Sequence, residues 1–175
     1  MSINFEIEES ELISGVWIIR PSISNDIRGN IWTSFLRGEV EKLIPETASF
    51  KHDKFSMSKQ NVLRGIHGDS KSYKLVTCVF GKIQQVVVDL RKDSPTFLSW
   101  QDFVISSDDQ IMVLLPPNMG NAYYVCSKEA VYHYKLAYEG EYIDADQQFS
   151  VRWNDDTIGI NWMGNSPILS VRDQG

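Results

Sequence analysis

The chain has 175 residues, of which 42% are hydrophobic and 23% are charged, and its formal net charge is -6 at pH 7. This length allows one well-filled hydrophobic core and is short for two, so a single domain covering residues 1–175 is expected. The acidic balance argues against nucleic acid or an anionic membrane as a partner, because both require a concentrated basic surface. The first residues lack the basic and apolar regions of a signal peptide, and no eighteen apolar residues run together, so a cytoplasmic location is expected.

Short runs of β-branched and aromatic residues recur between turn signals, and each run predicts a strand. The runs are residues 16–19, 30–35, 73–80, 83–90, 97–105, 110–115, 123–126 and 130–137. Turns are predicted at 81–82, 93–95, 106–109 and 116–118, and a short helix is predicted at 37–43. Many short strands with regular turns are typical of a sandwich or barrel, so the predicted fold is a single all-β jelly roll.

The segment Val62-Leu63-Arg64-Gly65-Ile66-His67 is followed seven residues later by Lys74. A guanidinium, an imidazole and an ammonium so close together on β-structure form a cationic cluster in an otherwise acidic protein. Such a cluster suits an anionic substrate whose reacting carbon must lose a proton. The alternative is that His67 only packs within its strand, as most strand histidines do; the neighbouring cations favour catalysis.

A bound metal is not expected. A metal-dependent jelly roll needs several imidazole and carboxylate ligands around one ion, and the chain has three histidines, His52, His67 and His133. The later segment at 118–121 offers the amide of Asn121 where a ligand would be required.

Seven motifs follow one another with a recognisable spacing: Arg-Gly-Ile-His at 64–67, Lys-Leu-Val at 74–76, Val-Asp-Leu-Arg-Lys at 88–92, Ser-Pro-Thr-Phe at 94–97 with Trp100, Tyr-Lys at 134–135, Trp-Asn-Asp at 153–155 and Leu-Ser-Val-Arg-Asp at 169–173. In order and spacing they resemble the dTDP-4-dehydrorhamnose 3,5-epimerase family, from residue 28 to residue 173. This chain has a small deletion after His67 and an insertion after Lys135. The resemblance implies a metal-free cupin barrel with short flanking helices and no cofactor, which inverts carbons beside the C4 ketone of nucleotide-linked 4-keto sugars.

Inverting such a carbon requires a base, a cation near the developing oxyanion, and an acid on the opposite face. The resemblance assigns the base to His67, oriented by Asp173, and the cation to Lys74. Strand alternation places Tyr132 and Tyr134 on one face, and the Tyr-Lys motif selects Tyr134 as the acid. The alternatives are a surface lysine at a strand start for Lys74 and a solvated carboxylate near the chain end for Asp173.

Substrate binding is assigned in the same way. Arg64 matches the arginine that holds the diphosphate. Arg28 matches one that family dimers donate across the subunit interface, which implies a homodimer with exchanged N-terminal strands; the alternative for Arg28 is an ordinary turn residue. Tyr138 and Tyr142 are rival candidates for an aromatic side chain that closes over the substrate.

Several residues depart from the pattern of the rhamnose enzymes. His52 and Lys54 stand where dTDP-specific members carry a glutamine and an asparagine near the nucleotide. Asn121, Gln85 and the stretch 68–70 also differ, and Asn121 either hydrogen-bonds a substrate hydroxyl or satisfies the backbone. These departures predict a branch that epimerises GDP-linked 4-keto-6-deoxy-heptoses for capsule or lipopolysaccharide synthesis. The alternatives are a dTDP-4-keto-6-deoxyglucose 3,5-epimerase, a 3,4-ketoisomerase, and a carbohydrate-binding jelly roll without catalytic activity.

Overall fold

In the computed structural model, which describes residues 3–174, thirteen strands account for most of the regular structure. The strands are β1 (Phe5–Glu9), β2 (Trp17–Pro21), β3 (Ile23–Asp26), β4 (Gly29–Trp32), β5 (Ser49–Lys59), β6 (Leu63–Gly68), β7 (Tyr73–Phe80), β8 (Lys82–Asp89), β9 (Trp100–Ser106), β10 (Met112–Leu115), β11 (Met119–Val125), β12 (Glu129–Tyr138) and β13 (Phe149–Ser150). One turn of α-helix, α1 (Arg37–Val40), continues into a 3₁₀ turn at Glu41–Leu43, and a second 3₁₀ turn covers Val171–Gln174. The predicted all-β class with short flanking helices is confirmed.

The strands form two antiparallel sheets and a separate β3–β4 hairpin. The six-stranded sheet has the order β1-β2-β10-β7-β12-β5, and the five-stranded sheet has the order β13-β6-β11-β8-β9. Strands that are distant in sequence are therefore neighbours in space, as when β7 lies between β10 and β12. Crossovers of this kind between two facing sheets are the arrangement of a jelly roll, as predicted.

The main core lies between the two sheets and takes side chains from both. Val76 and Val113 come from the six-stranded sheet and pack with Val87 and Ile105 from the five-stranded sheet. Each apolar side chain of this size stabilises the fold by about 1.5 to 3 kcal/mol when it is fully buried. Strand β8 is buried at seven consecutive positions because both of its faces are covered.

Strand register places the polar side chains of the interior opposite one another. His67 on β6 pairs with Asn121 on β11. Tyr134 on β12 pairs with Lys54 on β5 and with Val76 on β7. Because β5 alternates between more buried and more exposed positions, Lys54 shares its face with His52 and Ser56. The register thus assembles polar groups from four strands at one place.

The predicted and observed elements differ mainly at strand ends. The strand predicted at 97–105 begins only at Trp100, because residues 94–99 form a turn around the buried carboxylate of Asp89, which accepts hydrogen bonds from Ser94 and Thr96. The strand predicted at 30–35 ends at Trp32, and the one predicted at 123–126 begins at Met119. Strands β1, β3, β5 and β13 were not predicted, and β6 was predicted only as β-structure around His67, without bounds. Within residues 3–174, no helix is long and apolar enough to cross a membrane.

The turn between β7 and β8 requires glycine. Gly81 has a φ of +83°, and a Cβ atom there would overlap the carbonyl oxygen of Glu129. We predict that Gly81→Ala lowers the free energy of unfolding by more than about 2 kcal/mol, because the left-handed conformation alone costs about 1 to 2 kcal/mol and the overlap adds to it. Urea denaturation measures the difference.

Gly140→Ala is the matched control. Gly140 has a φ of +70°, and a Cβ atom added there would have no other atom within 4 Å, so that variant should lose only the conformational contribution. Equal losses in the two variants would contradict the close packing of the turn at Gly81.

Candidate active site

A cavity of about 280 Å³ lies inside the barrel, and most of the predicted site residues line it. They are Lys54, Arg64, His67, Lys74, Asn121, Tyr134, Tyr142 and Asp173. Arg28, His52 and Tyr138 do not line it. Side chains that were not predicted as site residues complete the wall: Ser56, Tyr123, Tyr132, Leu136, Ala145, Gln148, Ser170 and Arg172.

His67 and Asp173 form a close pair in this wall. Nε2 of His67 lies 2.6 Å from Oδ1 of Asp173, and the hydroxyl of Ser170 donates to Oδ2 at 2.7 Å. The Asp173 side chain is 3% exposed. Burial alone would raise the pKa of Asp173, but its contacts with His67 and Ser170 outweigh burial and hold the pKa below its ordinary value. An ionised carboxylate at Nε2 leaves Nδ1 as the nitrogen that can take a proton from a substrate.

The C-terminal segment docks on β6 through its backbone, which brings Asp173 to His67. The amide of Leu63 donates to the carbonyl of Ile168 at 3.1 Å, and the amide of Ile168 donates to the carbonyl of Asn61 at 2.8 Å. The final 3₁₀ turn then directs Asp173 inward. Asp173 is buried, so it is not a solvated carboxylate at the end of the chain.

Lys74 lies at the start of β7 and is buried, with 9% of its side chain exposed. Its Nζ is 3.4 Å from Oδ2 of Asp69. Burial lowers the pKa of Lys74 below its ordinary value, and the charge of Asp69 opposes that change. Lys74 is therefore not a surface lysine. Asp69 was noted only as a departure in sequence, and its contact with Lys74 was not predicted.

Tyr134 points into the cavity from β12, while its neighbours point the other way. On the outer side, Asp53 contacts Nε2 of His133 at 2.7 Å and Nζ of Lys135 at 2.8 Å. The predicted alternation along this strand is thus confirmed. Burial raises the pKa of Tyr134, with the charge of Lys54 acting in the opposite direction. The phenol consequently keeps its proton through the neutral range, as an acid must.

Tyr132 lines the cavity but its hydroxyl is committed to a buried network. Its ring stacks on Tyr123 with centroids 4.1 Å apart, and its hydroxyl donates to Oε1 of Gln85 at 2.8 Å. Nε2 of Gln85 donates to the carbonyl of Val86 and to Oδ1 of Asn121. This arrangement fixes the Asn121 amide with its oxygen occupied, so that its NH₂ group is available to a substrate oxygen.

Four side chains from β5 and from the region around the end of β12 form an aromatic and cationic corner. Lys54 donates to the hydroxyl of Tyr142 at 2.8 Å and lies 4.4 Å from the centre of its ring. His52 contacts the hydroxyl of Tyr138 at 3.1 Å and packs edge-on against both tyrosines. Of the two rival tyrosines, Tyr142 lines the cavity. Tyr138 is buried and, like His52, lies outside the cavity lining.

Two arginines add positive charge to the wall. Arg64 donates through Nε to the hydroxyl of Ser58 at 3.0 Å, and Arg172 donates through Nε to the hydroxyl of Ser150 at 3.1 Å. Arg172 was not predicted as a site residue. The signal was present, because Arg172 immediately precedes Asp173 within the Leu-Ser-Val-Arg-Asp motif.

Arg28 lies at the tip of the β3–β4 hairpin and does not line the cavity. Its guanidinium pairs with Asp26 at 2.5 Å, and 86% of its side chain is exposed. The predicted contribution of Arg28 to a second subunit stays a prediction.

Within residues 3–174, no group of three or more His, Cys, Asp or Glu side chains is arranged to hold a metal ion. The imidazoles of His67 and His133 are each paired with a single carboxylate. The chemistry that this wall offers is proton transfer beside a cation, with further cations for an anionic group.

Comparisons with known proteins agree with this geometry. Residues 10–175 match the family model described as dTDP-4-dehydrorhamnose 3,5-epimerase. A dTDP-4-dehydrorhamnose 3,5-epimerase from Salmonella typhimurium is 34% identical over 165 residues, which are 92% of this chain and 88% of that protein. A dTDP-4-dehydrorhamnose 3-epimerase from Streptomyces niveus is 32% identical, over 93% of this chain and 78% of that protein.

A solved structure is similar over nearly the whole fold. The dTDP-6-deoxy-D-glucose-3,5-epimerase of Legionella pneumophila, in complex with dTDP-4-keto-L-rhamnose, superposes with a TM-score of 0.88 at 32% identity. The match covers 97% of this chain and 90% of that one, so the cupin barrel is shared. This chain belongs to the dTDP-4-dehydrorhamnose 3,5-epimerase family, a family of isomerases.

Proposed function

We propose that this protein epimerises a nucleoside-diphosphate 4-keto sugar at a carbon beside the ketone, and that it does so with His67, Lys74, Tyr134 and Asp173. The observation that carries the proposal is the His67–Asp173 pair in the wall of the cavity that Lys74 and Tyr134 also line. A base, a cation and an acid around one space are the groups that this reaction requires.

The reaction runs through an enolate. Nδ1 of His67 takes the proton from C3 or C5, the C–H electrons form a double bond to C4, and the carbonyl electrons move onto the C4 oxygen. The ammonium of Lys74 stabilises that oxygen as it becomes negative. Tyr134 then delivers its proton to the opposite face of the carbon. Solvent returns a proton to the Tyr134 phenolate and removes the proton from His67.

The dTDP-linked 4-keto-6-deoxy sugars are the first candidate for the substrate. The Salmonella and Streptomyces relatives are dTDP-4-dehydrorhamnose epimerases, and the Legionella structure holds dTDP-4-keto-L-rhamnose. Both 3,5-epimerases and 3-epimerases occur among the relatives. We therefore assign this chain inversion at C3, either alone or together with C5. Arg64 and Arg172 would hold the diphosphate, with Lys54 and Tyr142 beside the nucleotide base.

The GDP-linked heptose predicted from the sequence is the second candidate, and the relatives do not support it. One observation favours it. Lys54 reaches the cavity as a cation that donates to the hydroxyl of Tyr142, and His52 packs against the ring of the same tyrosine. At these two positions, 52 and 54, the dTDP-specific pattern has two neutral amides. Guanine presents two adjacent acceptors on one edge, O6 and N7, and either could accept a hydrogen bond from the Lys54 ammonium.

A 3,4-ketoisomerase and a non-catalytic sugar-binding barrel have less support. The ketoisomerase would share the first proton abstraction but deliver the proton to C4, and the relatives are named as epimerases. A carbohydrate-binding barrel that catalyses no reaction would not require an imidazole base paired with a buried carboxylate.

We retain, as proposals, a single domain that acts in the cytoplasm and a homodimer in which Arg28 reaches the partner's cavity.

The first prediction concerns the base. His67→Asn should reduce deuterium incorporation at C3 and C5 by at least about 10³-fold, because every exchange begins at this imidazole. Proton NMR of dTDP-4-keto-6-deoxyglucose incubated with the variant in heavy water measures it. The matched control is His133→Asn, on the outer side of the same barrel, which should exchange at a rate close to that of the wild type. Exchange persisting in His67→Asn would remove His67 from the mechanism.

The second prediction separates acid from base. In Tyr134→Phe, His67 can still remove and return a proton on one face, so label exchange should survive while inversion falls by about 10² to 10⁴-fold. Comparing exchange with product stereochemistry in one NMR experiment distinguishes the two. Tyr132→Phe should retain inversion, since that hydroxyl is bound to Gln85. The opposite result for the two tyrosines would assign the acid to Tyr132.

The third prediction concerns the nucleotide. At about 100 times its dissociation constant, a ligand stabilises the folded state by about 2.7 kcal/mol, which is a rise of roughly 5 to 10 °C in thermal midpoint for a chain of this size. At equal concentration, dTDP should raise the midpoint more than GDP does, and Arg64→Ala should reduce the rise. A larger rise with GDP would favour the heptose substrate instead.

A further inference from the structure

We propose that Asp69 is a positioning residue for the reaction: it is the buried counter-ion that keeps Lys74 charged and directed at the C4 oxygen. The inference rests on the proposed function, because it assigns Asp69 to the same enolate step. It adds a group that lies behind Lys74 and does not itself line the cavity.

The carboxylate of Asp69 is held rigidly. Oδ1 accepts hydrogen bonds from the backbone amides of Lys71 at 2.9 Å and Ser72 at 2.6 Å. The carbonyl oxygen of Asp69 accepts a hydrogen bond from the amide of Asn118 at 2.8 Å, which ties the loop to the neighbouring segment. With 1% of its side chain exposed, Asp69 turns its other oxygen, Oδ2, to Nζ of Lys74.

The surroundings of Lys74 otherwise favour the neutral amine. Burial removes the ammonium from water, and the nearby cations Arg172 and Lys54 also disfavour its charge, so all three lower the pKa of Lys74. The remaining titratable groups of the cavity wall are Arg64, His67, Tyr123, Tyr132, Tyr134, Tyr142 and Asp173. Asp173 is the acidic member of that set, and it is committed to His67 and Ser170. Asp69 is therefore the carboxylate that balances Lys74.

The charge of Lys74 matters for the step it serves. A neutral amine provides little stabilisation to a developing oxyanion, whereas an ammonium held in place in a site of low dielectric provides a large one. Asp69 lies two residues after His67, so one short segment anchors both the base and the cation.

Asp69→Asn tests the inference, because the amide oxygen can keep both backbone hydrogen bonds while the charge is lost. In the free protein, the Lys74 amine, followed by ¹⁵N NMR of labelled lysine, should titrate at lower pH than in the wild type. During turnover, the kcat of Asp69→Asn should be at least about tenfold below that of the wild type at pH values above the Lys74 titration of the variant. Below that titration it should stay within about threefold of the wild-type kcat. A shift of one pH unit in the titration corresponds to a tenfold change in the ratio of charged to neutral Lys74.

Asp53→Asn is the matched control, because Asp53 also pairs with a lysine, at 2.8 Å, but on the outer side of the barrel. It should leave both the Lys74 titration and the pH profile unchanged. If Asp69→Asn does not fold, Asp69→Ser is the substitute test variant, because its hydroxyl oxygen can still accept hydrogen bonds from the backbone amides of Lys71 and Ser72. An unchanged Lys74 titration, or a loss of kcat that is equal at all pH values, would overturn the inference. The titration needs no substrate, so it decides the role of Asp69 even if the proposed substrate is not turned over.

Discussion

The pairing of His67 with Asp173 joins two parts of the chain that are more than 100 residues apart. An imidazole and a buried carboxylate at 2.6 Å are stable together and costly apart, because an unpaired carboxylate in the barrel would lose its solvation without compensation. Their contact requires the C-terminal segment to lie along β6, and the backbone hydrogen bonds of Leu63 and Ile168 hold it there. Closure of the cavity, orientation of the imidazole and placement of Arg172 all depend on this one docking.

Charge is distributed unevenly between the cavity and the rest of the molecule. The chain carries a net charge of -6, whereas Lys54, Arg64, Lys74 and Arg172 line a wall to which Asp173 brings a carboxylate. Cations in a recessed site of low dielectric concentrate an anionic substrate there. An acidic exterior around a cationic interior is consistent with a small phosphorylated ligand and not with a long polyanion.

The sequence predicted the parts that depend on local patterns. Alternation along residues 130–137 placed Tyr134 inside and His133 outside, and the seven motifs located His67, Lys74 and Asp173. Strand β5 was missed because its interior face carries the polar residues His52, Lys54 and Ser56. The alternation of apolar and polar residues that usually predicts a half-buried strand therefore does not extend along β5. Asp69 and Gln85 were noted only as departures, since their roles come from contacts with Lys74 and Asn121 that only the folded register creates.

The most direct test of this mechanism is a crystal structure with a bound dTDP-4-keto-6-deoxy sugar in the His67→Asn variant, which would hold the substrate without consuming it. We predict that the C4 oxygen lies within hydrogen-bond distance of Nζ of Lys74. We also predict that C3 or C5 lies about 3 to 3.5 Å from the side chain at position 67, with Tyr134 on the other face of the ring. A sugar bound with its ketone away from Lys74, or outside the cavity, would contradict the assignment of this site.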